Sequence, residues 1–135
     1  MITRSGAGLI LYDKDKKILL QHRASDAPNF PDYWGVFGGA VEKGETPEEA
    51  MRRELLEEIE YKTADPKLLY VEEYDKGNIH FVNYYFIDKY DQTQSLVQHE
   101  GQGYGWFNVS EALKLKITKN FQTVLLKTQE FLENL

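Results

Sequence analysis

The chain has 135 residues, enough for one domain with its own hydrophobic core, and 41% hydrophobic with 28% charged residues is the balance of an ordinary globule. Its formal charge of −6 argues against sequence-independent grip on a nucleic-acid polymer, which needs a basic surface. The absence of cysteine excludes disulfides and thiolate metal sites, and the N-terminal apolar run is too short for a signal peptide or membrane span, so a cytoplasmic protein with no membrane partner is expected.

Two apolar runs, Gly8 to Tyr12 and Ile18 to His22, flank the charged turn Asp13 to Lys17 and predict a β-hairpin. Arg23 ends the second strand. From Ala24 to Tyr33, two prolines and the turn formers Asp26, Asn29 and Asp32 predict a loop leading into a strand over Trp34 to Phe37. The glycines Gly38 and Gly39 follow, then an acidic loop. Thr46 as N-cap, Pro47 at the first helical position and Glu49 three residues after the cap predict a helix start with a capping box.

Along that helix Met51, Leu55 and Ile59 form one stripe, and Glu54, Glu57 and Glu58 crowd an arc of roughly 100° beside it. Glu54 repels Glu58 across i,i+4 and Glu57 across i,i+3, each pair costing on the order of 0.2–0.5 kcal/mol. A bound cation would relieve this. All-oxygen ligands without His or Cys favour a hard ion, Mg²⁺ or Mn²⁺. Spacing alone does not decide it, and for three glutamates taken alone a solvated acidic face is the better reading.

Asp65-Pro66 stops regular structure, and Leu68 to Tyr74 with Ile79 to Ile87 predict a long hairpin across Asp75 to Asn78. The aromatic residues of its second strand read as core first and as base-stacking groups second. Asp88 to His99 is polar and aperiodic. Trp106 and Phe107 read as a strand, Ser110 to Leu113 as a short helix capped by Ser110, and Phe121, Val124, Leu125, Thr128 and Leu132 repeat at helical spacing in a C-terminal helix. His22 and His80 have no partner at metal-type spacing and read as structural. The element order predicts an α/β fold, a mixed β-sheet with helices on its faces.

The stretch Gly38 to Tyr61, GGAVEKGETPEEAMRRELLEEIEY, resembles the signature of the Nudix hydrolases, G-x5-E-x7-R-E-U-x-E-E-x-G-U with U aliphatic. Gly39, Glu45, Arg53, Glu54, Leu55, Glu57 and Glu58 stand in register. Two positions depart: Glu60 replaces the final glycine and Tyr61 the last aliphatic residue. A left-handed cap at Glu60 would cost about 1–2 kcal/mol, so the helix is expected to end differently or run on. Phe37 replaces the proline that often precedes the glycines.

The resemblance implies a single Nudix domain over residues 1–135, folded as an α/β/α sandwich. It implies hydrolysis of a nucleoside diphosphate derivative with Mg²⁺ or Mn²⁺. Glu57 and Glu58 are implied as the principal metal ligands, with the Gly38 carbonyl and Glu100 completing the sites and Glu54 as ligand or general base. Arg53 is implied to pair with Glu45 and brace the loop. Arg23 lies where many members carry a basic residue that meets phosphate or base, and Asn120 lies near the base-recognising Asn of MutT-type members; Gly38 and Gly39 are further candidates for substrate contact. Arg23, Glu100 and Asn120 together resemble MutT-type enzymes, which cleave oxidised purine nucleoside triphosphates to monophosphate and pyrophosphate. ADP-ribose, dinucleoside polyphosphates and nucleotide sugars are the alternative substrates, and a catalytically silent nucleotide-binding module is the alternative of another class. The expected partner is a small nucleotide, and the expected state a monomer or homodimer.

Overall fold

In the computed structural model, which describes residues 1–135, the first strand runs from Ile2 to Tyr12 (β1) and organises the sheet. Along its whole length it pairs in parallel with the strand Ile79–Lys89 (β6). On its other edge Gly6 to Leu9 pair with Phe37–Ala40 (β4), and Tyr12 meets Ile18 of the strand Ile18–His22 (β2). β2 is held in turn by Trp34–Gly35 (β3) and by Gly103–Phe107 (β7), while Lys67–Lys76 (β5) closes the far edge against β6. The sheet is mixed, as expected of an α/β fold.

Three helices flank it: Pro47–Ile59 (α1), Val109–Ala112 (α2) and Lys119–Glu133 (α3). Strand alternation sends side chains to opposite faces. Leu9, Leu11, Leu19, Phe37 and Phe86 pack with Met51, Leu55 and Ile59 of α1, whereas Ile10, Ile18, Leu20 and Ile87 pack with Phe121, Val124, Leu125 and Leu132 of α3. Two cores on two faces make the α/β/α sandwich. No helix is long and apolar enough to cross a membrane.

Several expectations are corrected. The first two strands do not form a full hairpin: they part after the Tyr12–Ile18 pair, because β4 takes the rest of that edge of β1. β1 also starts at Ile2, since pairing with β6 holds a segment whose own side chains are mostly exposed. The strand expected over Trp34 to Phe37 splits at Val36, where the chain leaves β2 for β1, and the two glycines lie within β4. Asn108, not Ser110, caps α2, its side chain accepting from the Glu111 N–H at 2.8 Å.

The exit of α1 is the main correction. Glu60 adopts φ 54°, ψ 37°, the left-handed conformation that the family pattern assigns to glycine. The cost is offset by what the turn achieves. The Glu60 N–H reaches the Leu56 carbonyl at 3.2 Å, the Tyr61 N–H reaches that of Leu55 at 3.4 Å, and Tyr61 is driven into the core with its hydroxyl accepting from the Asp91 N–H. The Glu60 carboxylate meets the His99 ring.

Candidate functional site

α1 begins as its local residues dictate: the Glu49 N–H donates to Thr46 Oγ1 at 3.1 Å and the Thr46 N–H to the Glu49 carboxylate at 2.8 Å. With its start pinned and its apolar stripe on the sheet, the helix turns its glutamates toward β4 and the loop before β7. Glu58 is the deep one, at 4% exposed, with Oε1 accepting from the Gly38 N–H at 2.8 Å. The loop is tied to the helix end by the Val97 N–H on the Ile59 carbonyl, at 3.1 Å, and the His99 N–H on that of Glu58, at 2.8 Å. These bonds bring Glu100 against Glu58.

The consequence is electrostatic. Burial, then the neighbouring carboxylates of Glu100 and Glu54, push the Glu58 carboxyl up to about 9. Glu54 is also raised, chiefly by burial, although Arg53 pulls the other way. Glu57 stands at the rim, its side chain 59% exposed and 3.4 Å from Arg53 Nη1.

Arg53 is the brace. Its Nε and Nη2 donate to the two oxygens of Glu45 at 2.7 and 2.9 Å, Nη2 reaches the Ala40 carbonyl at 3.1 Å, and Nη1 reaches Glu54 Oε1 at 2.9 Å. That fork holds the Glu45 carboxyl down to about 2. The acidic loop, β4 and the helix are thus joined through one guanidinium.

The glycines permit close approach. A Cβ on Gly38 would lie 2.3 Å from the Ala7 carbonyl oxygen, and one on Gly39 would lie 2.5 Å from the Glu54 carboxyl. Only bare backbone lets β4 sit against β1 on one side and the Glu54 carboxylate on the other.

Three cavities that share lining residues adjoin the glycines and the loop before β7. One of about 230 Å³ is lined by Gly38 and Gly39, with Asn83 and Tyr85; the next, about 370 Å³, shares Asn83 and Tyr85 and adds Arg23, Trp34, Glu72 and Asn120; the third, about 320 Å³, shares Arg23 and reaches Glu100. Arg23 and Asn120, far apart in the chain, therefore line one cavity. Arg23 Nε donates to the Asn29 carbonyl at 3.1 Å. His22 stacks on Trp34 and His80 pairs with Asp75, both structural roles.

Sequence reasoning missed Glu72 and Asn83, which lie opposite one another on β5 and β6 and line the middle cavity. The available signal was a lone amide inside the aromatic run of β6.

The carboxylate set suits a hard cation in chemistry. Every donor is oxygen, and Glu54, Glu58 and Glu100 lie close enough that burial and mutual repulsion hold a proton on Glu58 at neutral pH. The side chains as they stand do not form a closed cage of three or more ligands, because Glu54 and Glu57 lean to Arg53.

A sandwich with this glycine-backed carboxylate helix defines the class, and the chain belongs to the Nudix family: the model of the NUDIX domain matches residues 2–128. Among known proteins, a nucleoside triphosphatase NudI of Enterobacter sp. (strain 638) is 54% identical over 41 residues, 30% of this chain and 29% of that protein. The likeness thus spans under a third of that relative. The MutT protein from Methanosarcina mazei Go1 has the same fold, with TM-score 0.83 at 15% identity over 96% of this chain and 94% of that one. So has an Ap4A hydrolase of C. elegans, with TM-score 0.80 at 23% identity over 98% and 99%.

Proposed function

We propose that this chain is a Nudix pyrophosphohydrolase that cleaves a purine nucleoside triphosphate, oxidised or not, to the monophosphate and pyrophosphate. One observation carries the reading: Gly38 and Gly39 of β4 meet the carboxylates of Glu58 and Glu54 and also line a cavity that adjoins the aromatic one. The arrangement suits a ligand with a ring at one end and a phosphate chain at the other. The similarity to a nucleoside triphosphatase over 41 residues supports it.

Glu54, Glu57, Glu58 and Glu100 would hold Mg²⁺ or Mn²⁺, with the Gly38 carbonyl as a further donor. When bound, the ion supplies charge neutralisation between these carboxylates and the diphosphate, and the acidification of water. The chain's own groups do the rest. Arg53 and Gly39 fix Glu54 beside the phosphate path, where its raised basicity suits it to take a proton from the attacking water. Arg23 offers a cation to the phosphate or base, Asn120 a donor and acceptor to the base, and Trp34 and Tyr85 an apolar wall that excludes water from the ring. In-line attack at phosphorus breaks the anhydride bond, and pyrophosphate leaves as the anion.

The test is a panel of nucleoside triphosphates, ADP-ribose and dinucleoside polyphosphates with Mg²⁺, following phosphate and pyrophosphate release. Purine nucleoside triphosphates should yield pyrophosphate, and excess chelator should stop it. Turnover of only ADP-ribose or dinucleoside polyphosphates would overturn the substrate, and full turnover in chelator the role of the carboxylates.

A further inference from the structure

Glu72 is a carboxylate in an unusual place. It sits on β5 opposite Asn83 of β6, is 8% exposed, and accepts from Asn83 Nδ2 through Oε1 at 3.1 Å. Its other oxygen, Oε2, is buried and accepts from nothing. Leaving such a group without a donor is costly, more so when it is charged, and the surrounding fold does not relieve it. Asn83 serves only Oε1: its Nδ2 donates there, and its Oδ1 lies on the side of Gly6, where the missing Cβ leaves it room. Yet Glu72 lines the middle cavity together with Trp34, Tyr85 and Asn120. The terminal torsion of a glutamate is soft, so the free oxygen can turn to a donor seated in that cavity.

We propose that Glu72 sets base selectivity, accepting the adjacent N1–H and N2 amino donors of a guanine-type edge on Oε2 and on the remaining lone pair of Oε1. The inference rests on the nucleotide reading above and deepens it. Guanine, oxidised at C8 or not, presents two neighbouring donors on this edge. Adenine and cytosine present one amino group beside a ring-nitrogen acceptor, and uracil and thymine an N–H between two carbonyls. Each of these would set a lone pair against the carboxylate. A site built around a buried acceptor rejects a ligand lacking the matching donor more strongly than an apolar pocket rejects a change of size.

Calorimetric binding of GMP, inosine 5′-monophosphate and UMP in the presence of Mg²⁺ tests this without turnover. Inosine differs from guanosine only by the N2 amino group. The wild-type protein should bind GMP at least about tenfold more tightly than inosine monophosphate, the loss of one hydrogen bond to a charged group, and UMP more weakly still. In Glu72→Gln the GMP affinity should fall by about tenfold or more and the GMP to inosine monophosphate ratio should shrink toward one, with UMP changed less than about twofold. Equal wild-type affinities for GMP and inosine monophosphate, no binding of GMP, or an unchanged ratio in Glu72→Gln would each overturn the proposal. The wild-type comparison decides even if the variant does not fold. Selective GMP binding without cleavage of any triphosphate would instead sink the pyrophosphohydrolase reading, while cleavage without base preference would sink the role of Glu72 alone.

Discussion

Replacing Glu58 with Gln in metal-free protein should remove a pH-dependent penalty on folding. In the folded chain the Glu58 carboxyl is pushed up from 4.5 to about 9 by burial and by Glu100 and Glu54. The folded state therefore keeps a proton that the unfolded chain gives up near pH 4.5. Below that pH the group does not oppose folding; as pH rises from 4.5 toward 9, stability falls, and above 9 the loss is complete. At about 1.4 kcal/mol per pH unit the whole shift is worth about 6 kcal/mol. That matches the net stability of many domains, so structural relaxation takes much of it. A fall of about 2 kcal/mol between pH 5 and pH 8 is the expected remainder. Gln keeps an oxygen for the Gly38 N–H and cannot ionise. Urea unfolding in chelator should show wild type losing stability across that window and Glu58→Gln staying nearly flat, so that the variant is the more stable at pH 8. Added Mg²⁺ should raise the stability of wild type at pH 8 and do little for the variant. A variant less stable than wild type at pH 8, or with the same pH slope, would refute the argument.

At Glu57 the structure separates stability from rate. Its contact with Arg53 is long and exposed, so Glu57→Gln should change metal-free stability by under about 0.5 kcal/mol in melting curves while lowering turnover with Mg²⁺ by about 100-fold or more; a variant that melts well below wild type and keeps most of its rate would remove Glu57 from the metal set. Gly39→Ala places a methyl on the Glu54 carboxyl and should leave a folded protein with much reduced turnover, as judged by circular dichroism and initial rates, because the obstruction is a side-chain end rather than backbone. Glu60→Gly should raise the melting temperature, since relief of the left-handed strain, about 1 kcal/mol, exceeds the worth of an exposed carboxylate–imidazole contact; a lower melting temperature would mean that His99 depends on Glu60.

Glu60 also marks where local reasoning stops. The start of α1 was legible because Thr46, Pro47 and Glu49 decide it among themselves, within a few residues. Its end is decided by partners far along the chain: Val97 and His99 bond the last carbonyls of the helix, and Asp91 bonds the hydroxyl of the Tyr61 that the turn delivers to the core. Against those bonds a local penalty loses. The same division runs through the site. The spacing of Glu54, Glu57 and Glu58 puts them on one helical arc whatever surrounds it, and the pairing of Arg53 with Glu45 was what the family resemblance implied. What makes Glu58 unlike Glu57 is cross-chain: Gly38 from β4 and Glu100 from the loop before β7 bury and crowd one carboxylate and leave the other at the rim. Glu72 and Asn83 depend still more on context. Separately they read as a charged residue on an edge strand and an amide in an aromatic one; only the β5–β6 register sets them face to face, and only the parallel pairing of β6 with β1 brings that pair beside the glycines of β4. Repetition along a helix could thus announce the carboxylates proposed to act on phosphate, whereas the groups suited to choosing the base are assembled by the sheet.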